Sequence, residues 1–179
     1  LILASDAGEN VFAIIKDALY GGTAGSINLS LIGCKEIPTT GLSNWDGKLD
    51  ALKSIYLPDI TRIGVEGLAY CVFLEEINTP NVTSIHENAF GGCTNLQKIT
   101  FGELTEVKGL SHDYDGILDP GVNTERINLV LSENQKVMTK NRQGNEYFWT
   151  PTKEYYKGSV EYGSTSFLEY KFNSVSFKK

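Results

Sequence analysis

The chain contains 179 residues, of which 41% are hydrophobic, and its 16 basic and 22 acidic side chains give a formal net charge of -6. This length and apolar content predict a single domain whose hydrophobic core needs no metal or crosslink. No cluster of Lys or Arg interrupts the acidic balance, so the composition excludes the basic footprint of a nucleic-acid-binding protein.

The chain is predicted to begin with one short amphipathic helix. Asp6, followed by Glu9, has the spacing of a capping box. The apolar residues after it fall on one broad helical face, and Gly21 and Gly22 end the pattern. Those apolar residues are Val11, Phe12, Ile14, Ile15, Ala18 and Leu19.

A strand and an atypical first coil are predicted to follow the helix. Ile27, Leu29 and Leu31 alternate with polar residues, which is the period-two pattern of a half-buried strand. Beyond Gly33 the spacing of apolar residues is looser, as in a terminal repeat that turns a polar face outward. The apolar residues of this stretch are Ile37, Leu42, Trp45 and Leu49. We therefore assign residues 1–51 to an N-terminal cap.

Between residues 52 and 107 the same apolar pattern recurs every 22 residues. Cys71 matches Cys93 at this offset, and Pro58 matches Pro80. A period of roughly 20 to 29 residues with recurring Leu and Ile is the signature of leucine-rich coils stacked into a solenoid. The matched apolar sets are Leu52, Leu74 and Leu96; Ile55, Ile77 and Ile99; Ile60, Val82 and Leu104; and Ile63, Ile85 and Val107.

The predicted fold is thus an α/β repeat in a single domain. It is a short leucine-rich-repeat solenoid, mostly β with short helical turns, enclosed by an N-terminal helix cap and a β-rich C-terminal cap. Within a coil, apolar residues of the strand point inward and a proline ends the strand. The return turns, residues 64–70 and 86–92, are each predicted to form a single helical turn. Thr79 replaces an expected apolar residue, which is tolerable if its hydroxyl finds a backbone partner.

Residues 108–179 are predicted to form an irregular loop and a C-terminal cap. Turn-forming residues dominate the stretch from 108 to 125. Ile127, Leu129 and Leu131 repeat the pattern of residues 27–31, which predicts a second edge strand. Val175 and Phe177 alternate with polar residues in a last strand that closes the solenoid.

The three cysteines are predicted to be free thiols. Cys71 and Cys93 would stack at strand spacing, roughly 4.8 Å. That separation permits a disulfide, but stacked side chains that point the same way rarely reach the required dihedral angle. Buried free cysteine packs as a small hydrophobe, so we favour thiols, with a disulfide as the alternative. Cys34 lies outside the register and is expected to stay reduced.

Written out, the repeats read LKSIYLPDITRIGVEGLAYC, LEEINTPNVTSIHENAFGGC and a truncated LQKITFGELTEV. They resemble the BspA-like leucine-rich repeats of bacterial cell-surface proteins, whose consensus runs L-x-x-I-x-L-P-x-x-V-x-x-I-G-x-x-A-F-x-x-C. The chain departs from this pattern at Thr79, at Gly102, where proline is usual, and after Val107, where no third turn with Cys follows. The two ends of the chain are similar to the flanks of such proteins from Bacteroides-type bacteria.

This resemblance implies an exported, surface-exposed binding module, often a lipoprotein anchored upstream, and it brings no catalytic residues or cofactor. Residues 1–4 are far too short for a signal peptide, and the chain opens on Leu1, so we expect that an export signal has been removed. No apolar run approaches the roughly 18 residues of a membrane span. We therefore expect a secreted or outer-membrane-anchored protein that contacts the membrane only through an upstream anchor.

The candidate binding surface is the stack of outward side chains on the parallel strands. Equivalent positions in stacked coils lie side by side, so these side chains are expected to form one contiguous polar surface with an aromatic ring at one end. They are Ser54, Tyr56, Glu76, Asn78, Lys98 and Thr100. The alternative is that they are ordinary solvated strand positions.

The C-terminal aromatics offer a second candidate surface. Tyr147, Phe148, Trp149, Tyr155 and Tyr156 suit an exposed platform for glycan or protein contact. A closing cap, however, needs large aromatic side chains for its own core, and this interpretation is the plainer one.

No metal site or catalytic constellation is predicted. Asp113, Asp115 and Asp119 share a Gly-containing loop but lack the spacing of a calcium-binding loop. His86 and His112 are the only histidines, and neither lies in a nucleophile motif. His86, at a coil corner, is expected to be exposed. We therefore expect no enzymatic activity.

Three functions remain open. The first is a surface module that binds a host or neighbouring protein through the strand face, as an adhesin does. The second is an accessory glycan-binding protein that uses the C-terminal aromatics. The third is a structural spacer, which predicts uniformly polar faces.

Overall fold

The computed structural model describes residues 2–3, 10–109, 116–133, 135, 137–140, 146–149, 165–168 and 170–178. Helix α1 spans Asn10–Leu19, and a 3-10 helix spans Thr124–Arg126. The strands are β1 (Ile2–Leu3), β2 (Ile27–Leu31), β3 (Glu36–Ile37), β4 (Leu52–Tyr56), β5 (Arg62–Ile63), β6 (Glu76–Thr79), β7 (Ser84–Ile85), β8 (Lys98–Phe101), β9 (Glu106–Val107), β10 (Asn128–Ser132), β11 (Val137–Lys140), β12 (Glu146–Trp149), β13 (Ser166–Phe167), β14 (Tyr170–Lys171) and β15 (Ser174–Lys178).

The chain winds into stacked coils, and each regular coil contributes one strand to each of two parallel sheets. The larger sheet has seven described strands in the order β1-β2-β4-β6-β8-β10-β15, and the smaller has four in the order β3-β5-β7-β9. From β2 to β10, the even-numbered strands are neighbours in the larger sheet and the odd-numbered strands are neighbours in the smaller one, as expected when each coil of a solenoid adds one strand to each sheet. β11 pairs with β12 and β13 with β14 in separate antiparallel hairpins. This architecture confirms the predicted short leucine-rich-repeat solenoid.

The strand pairing follows the 22-residue period. Ile55 pairs with Ile77, and Ile77 pairs with Ile99. All three side chains are buried, and Leu29 and Leu129 continue the same buried column into the flanking coils. Each such side chain contributes about 1.5–3 kcal/mol by leaving water. The stacked columns of aliphatic residues are thus the main source of stability.

Two departures from the repeat pattern have local explanations. Thr79 is fully buried, and its hydroxyl donates to the carbonyl of Thr100 at 2.9 Å, as predicted. A Cβ atom at Gly102 would lie 2.7 Å from the carbonyl oxygen of Val82 and 2.8 Å from that of Pro80. Residue 102 is glycine because the preceding coil's proline turn passes too close for any side chain.

The solenoid extends further than the regular repeat. β10 pairs with β8 on one side and β15 on the other, so the prediction that residues 127–131 form an edge strand is wrong. β2 is likewise an inner strand, between β1 and β4. The prediction of a last closing strand is confirmed by β15, which is the outermost described strand on its side.

The return turns are not helical. In the first regular coil the N–H of Gly67 donates to the carbonyl of Gly64 and that of Ala69 to the carbonyl of Glu66, which makes two overlapping four-residue turns. Glu66 and Tyr70 adopt positive φ angles of 53° and 62°. These left-handed residues interrupt the helical conformation that the apolar-alanine pairs had suggested.

The cysteines are free thiols, and Cys71 and Cys93 are buried as predicted. Each thiol donates to a carbonyl of the preceding coil: Cys71 to Leu42 at 3.4 Å and Cys93 to Leu68 at 3.1 Å. Contact with the Cys93 thiol, and then burial, hold the pKa of Cys71 well above its ordinary value. Cys71 is therefore a packing residue and a poor nucleophile.

The N-terminal cap differs from its prediction in two ways. Ile14 and Ala18 are exposed, so the buried face of α1 is narrower than expected and centres on Phe12, Ile15 and Leu19. Trp45 is 61% exposed, although its companions in the sequence pattern are buried. The proposed capping box at Asp6 lies outside the described residues. No described helix has the length and apolar character needed to cross a membrane.

Candidate functional site

The six candidate residues lie in two neighbouring columns on the outward face of the large sheet. Ser54, Glu76 and Lys98 pair in one row of the strand register. Tyr56, Asn78 and Thr100 pair in the next. The predicted side-by-side arrangement is therefore present.

Both columns continue beyond the predicted residues because the flanking strands join the same sheet. The first column contains Asn28, Ser54, Glu76, Lys98, Asn128 and Ser174. The second column contains Ser30, Tyr56, Asn78, Thr100, Val130 and Ser176. The Ile-Asn-Leu string shared by residues 27–29 and 127–129 was the sequence signal for this extension.

The polar groups of the first column are occupied by one another. Ser54 donates to Asn28 Oδ1 at 2.6 Å, and Lys98 Nζ lies 2.7 Å from Glu76 Oε1. Ser174 donates to Asn128 Oδ1 at 2.7 Å. Such exposed pairs stabilise the fold by no more than about 1 kcal/mol each. Their main effect is to pair the two charges of the column and to engage part of its hydrogen-bonding groups within the protein.

The second column presents a different surface. Tyr56 is 43% exposed, and Asn78 is half-buried. Within the described part of the chain, neither side chain has a hydrogen-bond partner. Thr100 is only 5% exposed, so it adds almost nothing to the accessible surface. The accessible centre of this column is therefore the Tyr56 ring beside a free amide.

An open groove of about 430 Å³ extends the second column towards the proline turns. The residues that line the groove are Pro80, Asn81, Thr83, Glu103, Ser132 and Lys178. Three of them follow a second-column residue by two positions in the chain: Pro80 follows Asn78, Ser132 follows Val130 and Lys178 follows Ser176. Burial lowers the pKa of Lys178 below its ordinary value. The groove therefore lies next to the second column, on the side of the strand ends.

A separate cluster lies on the small sheet around His86. The prediction that His86 is exposed is wrong: it is 7% exposed, and its Nε2 has no hydrogen-bond partner within the described residues. Ser84 donates to Glu106 Oε2 at 2.7 Å, whereas His86 Nε2 lies 4.0 Å from that oxygen. The serine thus donates to the carboxylate and not to the imidazole, so the cluster lacks the nucleophile-to-base bond of a catalytic triad.

The electrostatics of this cluster are set by burial and by its charged neighbours. Burial lowers the pKa of His86, and the positive charges of Arg62 and Lys108 act in the same direction. The hydrogen bond from Ser84 is the first cause of the lowered pKa of Glu106. The imidazole is therefore neutral beside an ionised carboxylate near neutral pH.

The C-terminal aromatics are described only in part. Phe167, Tyr170 and Phe172 are buried, which supports a core role for these three. Tyr155 and Tyr156 lie outside the described residues, and of Tyr147, Phe148 and Trp149 only the strand β12 is described.

The acidic residues do not assemble into a metal site in the described part of the chain. Asp119 accepts a hydrogen bond from the Tyr170 hydroxyl at 3.1 Å. Asp113 and Asp115 lie outside the described residues. Elsewhere in that part, no group of three or more potential metal ligands occurs.

A family model described as a BspA type leucine rich repeat region matches residues 47–111 in six copies. Residues 47–111 are BspA-type leucine-rich repeats. Comparison with curated proteins and with solved structures found no match. BspA-type repeats generally occur in surface or secreted proteins, leucine-rich repeats commonly mediate protein interactions, and the solenoid is typically a non-enzymatic scaffold.

Proposed function

We propose that this BspA-type repeat protein is an exported module that binds a partner protein through the second column of the large sheet. The observation that carries the proposal is the contrast between the two columns. The first holds Ser–Asn and Lys–Glu pairs, whereas the second presents Tyr56 and an Asn78 amide that has no hydrogen-bond partner among the described residues.

Tyr56 and Asn78 are suited to protein recognition. Tyrosine is enriched among the residues that dominate binding energy because a rigid ring buries a large area at small entropic cost. The amide beside it can both donate and accept hydrogen bonds. We infer that the ring docks into the partner and that the amide bonds to its backbone.

The shape of the surface favours an extended partner segment. The groove lined by Pro80, Ser132 and Lys178 begins two residues beyond the second column, so an extended segment that covers Tyr56 and Asn78 can continue into it. Lys98 pairs with Glu76, and the groove is lined by one acidic and one basic side chain, Glu103 and Lys178, so the formal charge of this surface sums to zero. We propose a largely uncharged stretch of a host or neighbouring cell-surface protein as the occupant, with an upstream lipid anchor holding this chain at the outer membrane.

The spacer hypothesis is less well supported. It requires uniformly polar faces, but Tyr56 and Trp45 expose large aromatic surfaces. The hypothesis of glycan binding through Trp149, Tyr155 and Tyr156 rests on side chains outside the described residues and stays a prediction.

The proposal is tested with a partner selected by screening the purified chain against a displayed library of extracellular proteins. In calorimetry, Tyr56→Ala should weaken binding about 30-fold or more, the effect of losing a dominant contact residue. Asn78→Ala should weaken the binding of the partner several-fold.

Tyr20→Ala is the matched control, because Tyr20 is a 68% exposed tyrosine that follows α1 and belongs to no strand of the large sheet. Its affinity should equal that of the wild type. A partner that binds Tyr56→Ala as tightly as Tyr20→Ala would show that the second column is not the binding surface.

A further inference from the structure

A second aromatic surface lies on the return turns, away from the large sheet. Trp45 is 61% exposed there. Exposing an indole forgoes the burial of one of the largest apolar side chains. Leu42 and Leu49, on either side of Trp45 in the chain, are fully buried, so the same loop does reach the core. The placement of Trp45 therefore needs a local cause.

That cause is a stack of turn residues from three successive coils. The ring centroids of Trp45 and Tyr70 are 3.8 Å apart, with 40° between the ring planes. Tyr70 in turn lies on Gly92, where a Cβ atom would be 2.7 Å from Tyr70 Cδ1. The glycine admits the tyrosine ring, and the tyrosine ring supports the indole.

The indole is also fixed at its edge and through its loop. Trp45 Nε1 donates to Glu66 Oε2 at 3.3 Å. The neighbouring Asn44 is buried and accepts from the N–H of Leu49 at 2.6 Å while donating to Asp50 Oδ1 at 2.8 Å. A ring held in this way loses little conformational entropy when a ligand covers it.

Two of the supporting residues occupy strained backbone conformations. Tyr70 has a φ of 62° and Glu66 a φ of 53°, in the left-handed region that disfavours side chains with a Cβ. At the position of Tyr70 the next coil has Gly92, with a φ of 74°. Glycine, which adopts this conformation without strain, occupies the equivalent position of the next coil, but the first coil has Tyr70. The ring of Tyr70 supports Trp45.

Among the charged groups beside the indole, the carboxylate of Glu66 is the one placed to accept a hydrogen bond from a ligand. Asp46 and Asp17 lie 3.9 Å and 2.8 Å from Lys48 Nζ, so both carboxylates are paired. Glu66 uses one oxygen for Trp45, and within the described residues its Oε1 has no partner. The site therefore combines a rigid apolar ring with one free hydrogen-bond acceptor.

We propose that Trp45, supported by Tyr70 and flanked by Glu66, binds the pyranose ring of a neutral carbohydrate. A pyranose with equatorial hydroxyls has an apolar C–H face that covers an aromatic ring, and its hydroxyls donate to a carboxylate at the ring edge. β-1,4-Linked glucose and N-acetylglucosamine chains have this geometry. The site is separate from the second column of the large sheet and does not depend on it.

The test is calorimetric titration of the whole chain with cellopentaose and with the chitin pentasaccharide. Wild type should bind at least one of them, and Trp45→Ala should weaken that binding tenfold or more. Trp45→Phe should retain an intermediate affinity, because it keeps a smaller ring. Glu66→Gln should weaken sugar binding a few-fold, since the glutamine amide still accepts a hydrogen bond from Trp45 but carries no charge.

Tyr56→Ala is the control, and it should bind the sugar like the wild type. Unchanged thermal midpoints would show that the Trp45 variants remain folded. Absence of binding to both pentasaccharides, or equal binding by Trp45→Ala, would overturn the proposal. Binding of a lysine-rich peptide that is lost in Trp45→Ala, without sugar binding, would also overturn it in favour of a cation site.

Discussion

At the scale of single residues, several side chains complete the backbone of a neighbouring coil. Gln135 is the clearest case. It is fully buried, its Oε1 accepts from the N–H of Leu104 at 3.0 Å, and its Nε2 donates to the Leu104 carbonyl at 2.9 Å. The Gln135 side-chain amide therefore bonds both backbone groups of Leu104, as a neighbouring strand would.

We expect Gln135→Leu to lower the free energy of unfolding by about 2–5 kcal/mol, because two buried backbone groups would lose their partners. Urea denaturation measures this change. Gln97→Leu is the matched control: Gln97 is exposed, and its replacement should stay within about 0.5 kcal/mol of wild type. Equal midpoints for the two variants would contradict the bridging role of Gln135.

His86 should make stability depend on pH. Its pKa is lowered in the folded state, chiefly by burial and further by Arg62 and Lys108, while Glu106 and Glu87 oppose the shift. The unfolded chain therefore binds more protons than the folded chain as the pH falls through about 6.5, the ordinary value for histidine. The stabilisation by neutral His86 is present above that pH and is lost below it.

The expected result is a free energy of unfolding that falls between pH 7.5 and 5.5, with a slope of at most about 1.4 kcal/mol per pH unit from one proton. The slope should be smaller in His86→Gln. Glu106 does not interfere: its lowered pKa stabilises the fold above the carboxyl range, and that stabilisation is lost only in more acidic solution. Identical slopes for wild type and variant would contradict this assignment.

At the scale of elements, the stacked columns carry the fold. Ile77 is fully buried between Ile55 and Ile99. Replacement of Ile77 by alanine should cost about 2–5 kcal/mol, since a cavity would open between coils that cannot collapse independently. Chemical denaturation measures it. Glu103→Ala, at an exposed position past the end of β8, should leave the midpoint unchanged.

Gly102 tests the packing of the proline turns. The family consensus has proline at this position, yet the carbonyls of Pro80 and Val82 leave no room for a Cβ atom. The consensus substitution Gly102→Pro, like Gly102→Ala, should therefore destabilise the chain by about 1–3 kcal/mol, because overpacking here is against backbone atoms. A gain in thermal midpoint for either variant would contradict this account.

The elements also show which features the sequence could predict. The 22-residue period is found by comparing the chain with itself, so the strand Leu52–Tyr56 could be aligned with the next two strands of the large sheet without knowledge of the fold. Strands such as Asn128–Ser132 follow insertions of unequal length, and the period cannot register them. The sequence pattern likewise could not predict that Trp45 is exposed whereas Leu42 is buried. The exposure of Trp45 depends on contacts with Tyr70 and Gly92, which are distant in sequence.

The candidate site was predictable to the same extent. Register placed Ser54 beside Glu76 and Tyr56 beside Asn78, since these lie 22 residues apart. Register does not specify which side chains pair with each other. The closure of the first column depends on side-chain contacts such as the one between Lys98 and Glu76, and these distinguish the two columns.

At the scale of the whole molecule, the two proposed sites occupy different sides of one coil stack. Tyr56 lies on the outward face of the large sheet and Trp45 lies on the return turns, whereas the neighbouring strand residues Ile55 and Ile77 are buried in the core. Close-packed cores do not deform continuously, so a ligand on one side has no soft element through which to alter the other. The two sites should bind independently.

This independence can be measured once a protein partner and a sugar have been identified. The sugar should bind the chain with the same affinity, within about twofold, in the absence and presence of saturating partner, which corresponds to a coupling free energy under about 0.4 kcal/mol. Tyr56→Ala should weaken only partner binding and Trp45→Ala only sugar binding. Competition between the ligands would mean that they share one surface, and the division of this short solenoid into a strand site and a turn site would then be wrong.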